Sequence, residues 1–296
     1  MKLKAGSLLS ILLVLMVACG TPKVVTSYRT IAEQAVAEGN FEAATENWRL
    51  YFEEQMLDEN EIAPEHYAQA AKMAFRANKP DLALSWYKQA QAGNYADAEM
   101  YLDLANIYKQ QNNLQKELET LEYYRSNFQN EADLAGVNTR LFEIYTSINN
   151  QQKAVELWPL MSEENRTKEE YLDKYFAVQK QLDNDTETDS LAEAILLVNP
   201  KHVKALEWLG NKYYHQAEDL YQKEMKAYEK NHTRVQHIKM TKQLKTVTAD
   251  FRKAADYFKQ LWEIEQDPRY ATYLVNIYNR FEESDTANYY RKFLKE

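Results

Sequence analysis

The sequence predicts an all-α protein built from a repeated helix–turn–helix unit, and three observations carry that expectation. The first is spacing. Tyr101, Leu104, Ala105 and Tyr108 fall on one face of a helix, Asn112-Asn113 marks a turn, and Leu114, Leu118 and Leu121 mark a helix running back. The second is recurrence. Small residues at Ala44, Ala83 and Ala154, with Glu117 in the third copy, stand 39, 34 and 37 residues apart. The third is the shortage of breakers. Only 6 Gly and 6 Pro occur in 296 residues, too few for a chain of short strands and turns.

The same counts exclude several classes of function. Gly6 and Gly20 lie near the N-terminus, and the four remaining glycines supply no Gly-rich phosphate loop or dinucleotide fingerprint. The formal charge is −9, and it becomes −11 when Lys2 and Lys4 are left out. An acidic body of this kind opposes general nucleic-acid binding, so no nucleic acid is expected among the partners. Cys19 is the single cysteine, which excludes an intramolecular disulfide and any paired-cysteine metal or redox site.

The chain opens with a basic pair, Lys2 and Lys4, followed by an apolar run from Leu8 to Val17 broken only by Ser10. The run is shorter than the about 20 residues a membrane span needs and has the form of a signal-peptide core. It ends in Leu15-Met16-Val17-Ala18-Cys19-Gly20, which resembles a bacterial lipobox with Met in the place where Leu is commonest. The resemblance implies a signal peptide over 1–18, lipidation of Cys19, and a tether over 19–27. Several acyl chains anchor firmly where one holds weakly. Gly20 in place of a retaining Asp implies an outer-membrane address, and the absence of acids after Cys19 implies the periplasmic face. Nine residue steps from Cys19 to Tyr28 reach at most about 30 Å, which keeps the folded body near the membrane.

The repeats then follow in order. The first runs from Tyr28 through Ala32 and Ala35 to Gly39-Asn40-Phe41, then Ala44 and Trp48. The second holds Tyr67, Ala71 and Ala74, then Ala83, Tyr87 and Ala90. The third is 101–124. The fourth holds Leu141, Phe142 and Tyr145, then Ala154 and Trp158, with Pro159 ending its second helix early. A fifth pair is carried by Tyr171, Leu172, Tyr175 and Phe176, then Leu191, Ala194, Ile195 and Val198, and closes at Asn199-Pro200. Between its helices, 183–189 is expected to be an acidic solvated loop. It lacks the mid-loop glycine of a calcium site.

Leu206-x-x-Leu209-Gly210-x-x-Tyr213 restarts the pattern, but helix-forming sequence continues through Ala217, Tyr221, Met225 and Tyr228 to Lys230. Asn231-His232-Thr233 is the turn. A second long helix carries Ile238, Leu244, Val247, Phe251, Ala254, Phe258 and Leu261, so a hairpin over about 206–262 extends the sixth unit. From 206 to 230 the first arm is about 37 Å long, against nearer 20 Å for an ordinary arm, so the tip should protrude by about 15–20 Å. After Pro268, Tyr273, Leu274 and Tyr278, then Ala287, Tyr290 and Leu294, form the last pair.

Taken together, the units resemble the tetratricopeptide repeat (TPR), whose period is about 34 residues with W-x2-L-G-x2-Y in the first helix and A-x3-F in the second. The chain looks like a TPR lipoprotein of diderm bacteria. That resemblance covers about 28–296 and implies a right-handed α-solenoid of about seven TPR-like helix pairs. It is specific for fold, implies no catalytic residues and no cofactor, and points to proteins or peptides of the cell envelope as partners.

Two regions are candidate binding sites. By repeat position Lys72, Arg76, Asn106 and Lys109 face the groove, and polar residues on rigid helices suit peptide binding. The family's carboxylate clamp is not matched, since its places hold Glu33, Gln69 and Glu99. The second region is the hairpin tip. Residues 223–245 hold seven Lys or Arg against Glu224 and Glu229, a net +5 in an acidic chain, with Lys226, Lys230, Arg234 and Lys239 as candidate contacts. His232 and His237 are five apart, unlike the i, i+4 pairs of metal-binding helices, and no metal is expected. The paired glutamates, such as Glu53-Glu54 and Glu282-Glu283, converge on no nucleophile. The expected function is a membrane-anchored, non-catalytic adaptor, with a glycan- or cell-wall-polymer-binding lipoprotein as the alternative.

Overall fold

The computed structural model describes residues 27–294. Cys19, with the expected signal peptide and most of the expected tether, lies outside the described residues. The chain divides into two compact units, Met1–Ile107 and Tyr108–Glu296. The described residues of both are helical, with no strand among them.

In the first unit, α1 (Tyr28–Ala37) pairs with α2 (Phe41–Leu57) and α3 (Pro64–Arg76) with α4 (Pro80–Ala92). α5 (Ala98–Gln110) follows, with the unit boundary inside it. The pairs form because each helix offers one apolar face and because the crossing residues are small. Ala32, Ala44, Ala70, Ala71, Ala74, Ala83 and Ala90 are fully buried, which lets the backbones approach. Aromatic rings from neighbouring helices fill the remaining space: Phe52 stacks on Tyr67 at 4.5 Å and meets Trp86 edge-on at 5.4 Å.

The second unit continues with α6 (Leu114–Asn127), α7 (Leu134–Ser147) and α8 (Gln151–Leu157). Pro159 sits in the 3₁₀ turn Trp158–Leu160 that ends α8 after 7 residues, as its missing N–H requires. After the short α9 (Glu163–Arg166) come α10 (Glu169–Gln181), α11 (Asp185–Val198), α12 (Val203–Lys230), α13 (Arg234–Ile264), α14 (Pro268–Arg280) and α15 (Ser284–Arg291). α7 packs with α8, α10 with α11, α12 with α13 and α14 with α15. Among the described residues, helix pairs thus form within the units as α1/α2, α3/α4, α7/α8, α10/α11, α12/α13 and α14/α15, and α12/α13 is the long hairpin.

The expected acidic loop at 183–189 is mostly helix. Only Asp183 and Asn184 lie outside α11, whose first turn holds Asp185 and Glu187. Acids there complement the free N–H groups and the helix dipole, so an acidic run was the start of a helix rather than a gap between two. Thr188 is fully buried and its hydroxyl donates to the Asn184 carbonyl at 2.8 Å.

One device closes most of the pairs. The second residue past the end of α1, α3, α5, α7, α10 and α14 has positive φ: Gly39, Asn78, Asn112, Asn149, Asp183 and Glu282. The next N–H then bonds back to the helix, as Asn113 N–H does to the Tyr108 carbonyl at 2.9 Å and Asn150 N–H to the Tyr145 carbonyl at 2.8 Å. Asn40, Asn113 and Asn150 go on to cap the second helix, their side-chain oxygens accepting from Ala43, Lys116 and Lys153. The Asn-Asn turns in the sequence are therefore a C-cap and an N-cap in succession.

The core of the last two pairs is contiguous, running from Leu206 and Ala217 through Phe251, Ala254 and Phe258 to Leu274, Ala287 and Tyr290. Phe258 stacks on Tyr273 at 4.2 Å and 3°. Gly210 is what lets α13 come this close, since a Cβ there would lie 3.2 Å from Phe258 Cε1 and 3.4 Å from Tyr257 Cβ. The core thins toward the tip: beyond Val247 the buried residues are Met240 and Glu224. α12, with 28 residues, is about 42 Å long, against about 20 Å for the 13 residues of α14. No helix among the described residues is long and apolar enough to cross a membrane.

Candidate partner-binding faces

In each unit, polar side chains link one first helix to the next. In the first unit Lys72 and Arg76 of α3 both bind Glu99 of α5, Arg76 at 3.2 Å. Arg76 also lies over the Phe41 ring at 5.4 Å. The sequence-predicted pair is thus brought together, but on a glutamate that neutralises part of its charge. Asn106 is exposed on α5. Beneath this cluster the Tyr87 hydroxyl donates to Asp103 at 2.6 Å. Burial and the Asp103 carboxylate push that hydroxyl far above its ordinary range, and burial also raises the Asp103 carboxyl against the pull of the Tyr87 bond.

In the second unit Lys109 is exposed at the end of α5. The ladder here begins at Glu117, which is only 3% exposed. Arg140 of α7 reaches it with both arms, Nε at 2.6 Å and Nη2 at 3.1 Å, and gives its remaining arm to Glu143 at 2.7 Å. The Tyr171 hydroxyl of α10 donates to Glu143 at 2.9 Å. Burial would raise the Glu143 carboxyl, but the bonds from Arg140 and Tyr171 outweigh it and hold it below its ordinary value. The Tyr171 hydroxyl is pushed up to about 12 by burial and by that bond. Asp173 of α10 then meets His202 Nε2 at 3.4 Å and Lys204 Nζ of α12 at 3.1 Å. Glu207 of α12 accepts from the Tyr270 hydroxyl of α14 at 2.5 Å, and Arg280 of α14 binds Glu218 of α12.

Clefts lie along this ladder. One of about 500 Å³ is bounded by Arg140, Glu143, Ser147, Lys174 and Gln181. Another, of about 310 Å³, is bounded by Glu207, Asn211, Arg269, Tyr270 and Tyr273. A third, of about 330 Å³, lies beside Trp208, whose indole N–H donates to Asp189 at 2.8 Å. Asn211 lines the second and third, and its side-chain oxygen is buried with no hydrogen-bond partner. A bound N–H or O–H donor would satisfy it. Sequence reasoning missed this stretch because the ladder residues of α7, α10, α12 and α14 take partners 23 to 63 positions away. The position of Asn211, one residue after Gly210 in the repeat motif, is the signal that could have found it.

The hairpin tip has the opposite character. Lys226, Lys230, Arg234 and Lys239 are all exposed. Lys239 Nζ stands 3.5 Å from the buried Glu224. His232 and His237 pack on Tyr228, with ring centres 5.0 and 5.8 Å away. Among the described residues no cluster of His, Cys, Asp and Glu is arranged to hold a metal.

No protein-family model matches the chain, and no curated protein matches it. Among solved structures, one similar to it is a protein from Bacteroides ovatus provisionally described as protein-binding: 20% identity, 75% of this chain and 99% of that one covered, TM-score 0.47. Another is the C-terminal part of a TPR repeat-containing protein from Cytophaga hutchinsonii, at 12% identity over 89% of this chain and 92% of that one, TM-score 0.41. A third is YrrB, described as a TPR protein with an unusual peptide-binding site, at 18% identity over 69% of this chain and 96% of that one, TM-score 0.41.

Proposed function

We propose that the chain is a membrane-tethered, non-catalytic adaptor that holds envelope proteins or peptides against the faces of its first helices. The observation that supports this most is the side-chain ladder from Glu117 through Arg140, Asp173 and Glu207 to Arg280. It fixes polar groups on rigid helices and leaves clefts between them, an arrangement that suits extended protein segments and costs little ordering on the receptor side. Asn106 and Lys109 are exposed, and with Lys72 and Arg76 they are the candidate contacts nearest the N-terminal end of the chain. Lipidation of Cys19 would supply the tether, at the outer membrane and facing the periplasm.

The polymer-binding alternative asks for exposed indole rings. Trp48, Trp86 and Trp262 are buried, and Trp158 and Trp208 are half-buried, which favours the protein-binding reading. Fractionation of cells producing the full chain or its Cys19→Ala variant tests the tether. The wild-type chain is expected in the outer-membrane fraction and the variant in the inner-membrane or soluble fraction. An unchanged distribution would contradict anchoring through Cys19.

A further inference from the structure

We infer that the tip of the α12–α13 hairpin is a docking surface for an anionic phospholipid bilayer. The inference stands apart from the groove and from Cys19, and goes beyond the adaptor reading.

Charge is the first part of the argument. On the faces of the first helices several cations are matched: Lys72 and Arg76 by Glu99, Lys204 by Asp173, Arg280 by Glu218. At the tip, Lys226, Lys230, Arg234, Lys242 and Lys245 have no ion-pair partner among the described residues, and Lys239 has only Glu224 at 3.5 Å. A set of unmatched cations on a protruding hairpin in an acidic chain is complementary to a negatively charged surface.

The second part is apolar. Met240, Leu244 and Val247 turn the inner face of α13 toward α12. At 100° per residue, Val235, Ile238, Lys242 and Lys245 fall on the opposite face. Val235 is 79% exposed and Ile238 59% exposed, one turn apart at the distal end of that face. Two aliphatic side chains that nothing covers, ringed by unmatched cations, need a surface offering both kinds of contact. A bilayer does so: phosphates receive the lysines and arginine, and acyl carbons a few ångströms deeper receive Val235 and Ile238. A hydrated acidic polymer would satisfy the cations and leave the aliphatic side chains in water.

The test places an environment-sensitive dye at the tip of the full chain carrying Cys19→Ser and His232→Cys, so that the thiol at position 232 is the single one. Position 232 lies in the turn and outside the residues argued to make contact. Vesicles of phosphatidylcholine alone are compared with vesicles of phosphatidylcholine and phosphatidylglycerol. The dye is expected to shift to the blue only on the second kind. Lys226→Glu, Lys230→Glu, Arg234→Glu and Lys239→Glu together are expected to weaken that response about tenfold or more. Val235→Ser with Ile238→Ser is expected to abolish the shift while circular dichroism stays unchanged, since both residues are exposed. A silent dye on anionic vesicles, an equal response on neutral ones, or a response that survives both sets of substitutions would overturn the inference. So would silence on vesicles with capture of an acidic protein, which would assign the tip to a protein partner.

Discussion

Glu117 stands where other copies of the repeat have alanine, and a glutamate in a helix crossing is tolerable only if its charge is met. Arg140 meets it with two bonds while also holding Glu143, so the carboxylate is buried without being orphaned. The two ends of this pair are not equivalent. Arg140→Ala leaves Glu117 buried with no counter-charge and is expected to cost about 3 kcal/mol. Glu117→Ala removes the buried charge, restores the small residue, and leaves Arg140 on Glu143, so its cost is expected within about 1 kcal/mol. Urea unfolding of the two variants checks the asymmetry. An acid titration adds a sign. The folded Glu143 carboxyl lies below its ordinary value of 4.5, so it binds protons less readily than the unfolded chain. Its contribution is present above pH 4.5 and is lost as pH falls through the folded value. The gap between wild type and Arg140→Ala should narrow in that range. The sequence marked Glu117 as a departure but could not name Arg140, 23 residues away, because the pairing depends on how α6 crosses α7.

Periodicity made most elements legible at the level of whole helices. The long hairpin, its Asn231–Thr233 turn and the truncation at Pro159 were all readable, because helical spacing and breakers act locally. The ends were less so. α12 begins at Val203 and α13 ends at Ile264, a few residues beyond the expected 206–262. The acidic stretch at 183–189 misled because acids are equally at home in a solvated loop and in a first helical turn. Gly210 gives a direct test of how the hairpin is rooted. Alanine there gains about 1 kcal/mol in helix propensity, but its Cβ would press on Phe258 at 3.2 and 3.3 Å. Phe258 is fully buried and stacked on Tyr273, so it cannot yield. Gly210→Ala is therefore expected to be a net loss of about 1 kcal/mol, read as a lower thermal midpoint. A neutral or stabilising outcome would mean that α12 and α13 are not held this close.

At the scale of the whole molecule the repeat was legible because fully buried alanines must recur wherever two helices cross, as Ala44, Ala83, Ala154, Ala254 and Ala287 do. The candidate face was legible only in part. That Lys72 and Arg76 share a face followed from repeat position, and both meet Glu99, whereas the ladder from Arg140 to Arg280 was not readable, because each rung takes its partner from another helix pair. The central claim is that this face, and not the outer side of the second helices, receives a protein. A photo-reactive amino acid placed singly at Lys174, Lys204 or Asn211, and for comparison at Glu193 of α11, tests it in living cells. The account predicts discrete protein adducts from the first three positions and none from the last. Equal adducts from all four, or adducts from Glu193 alone, would contradict it.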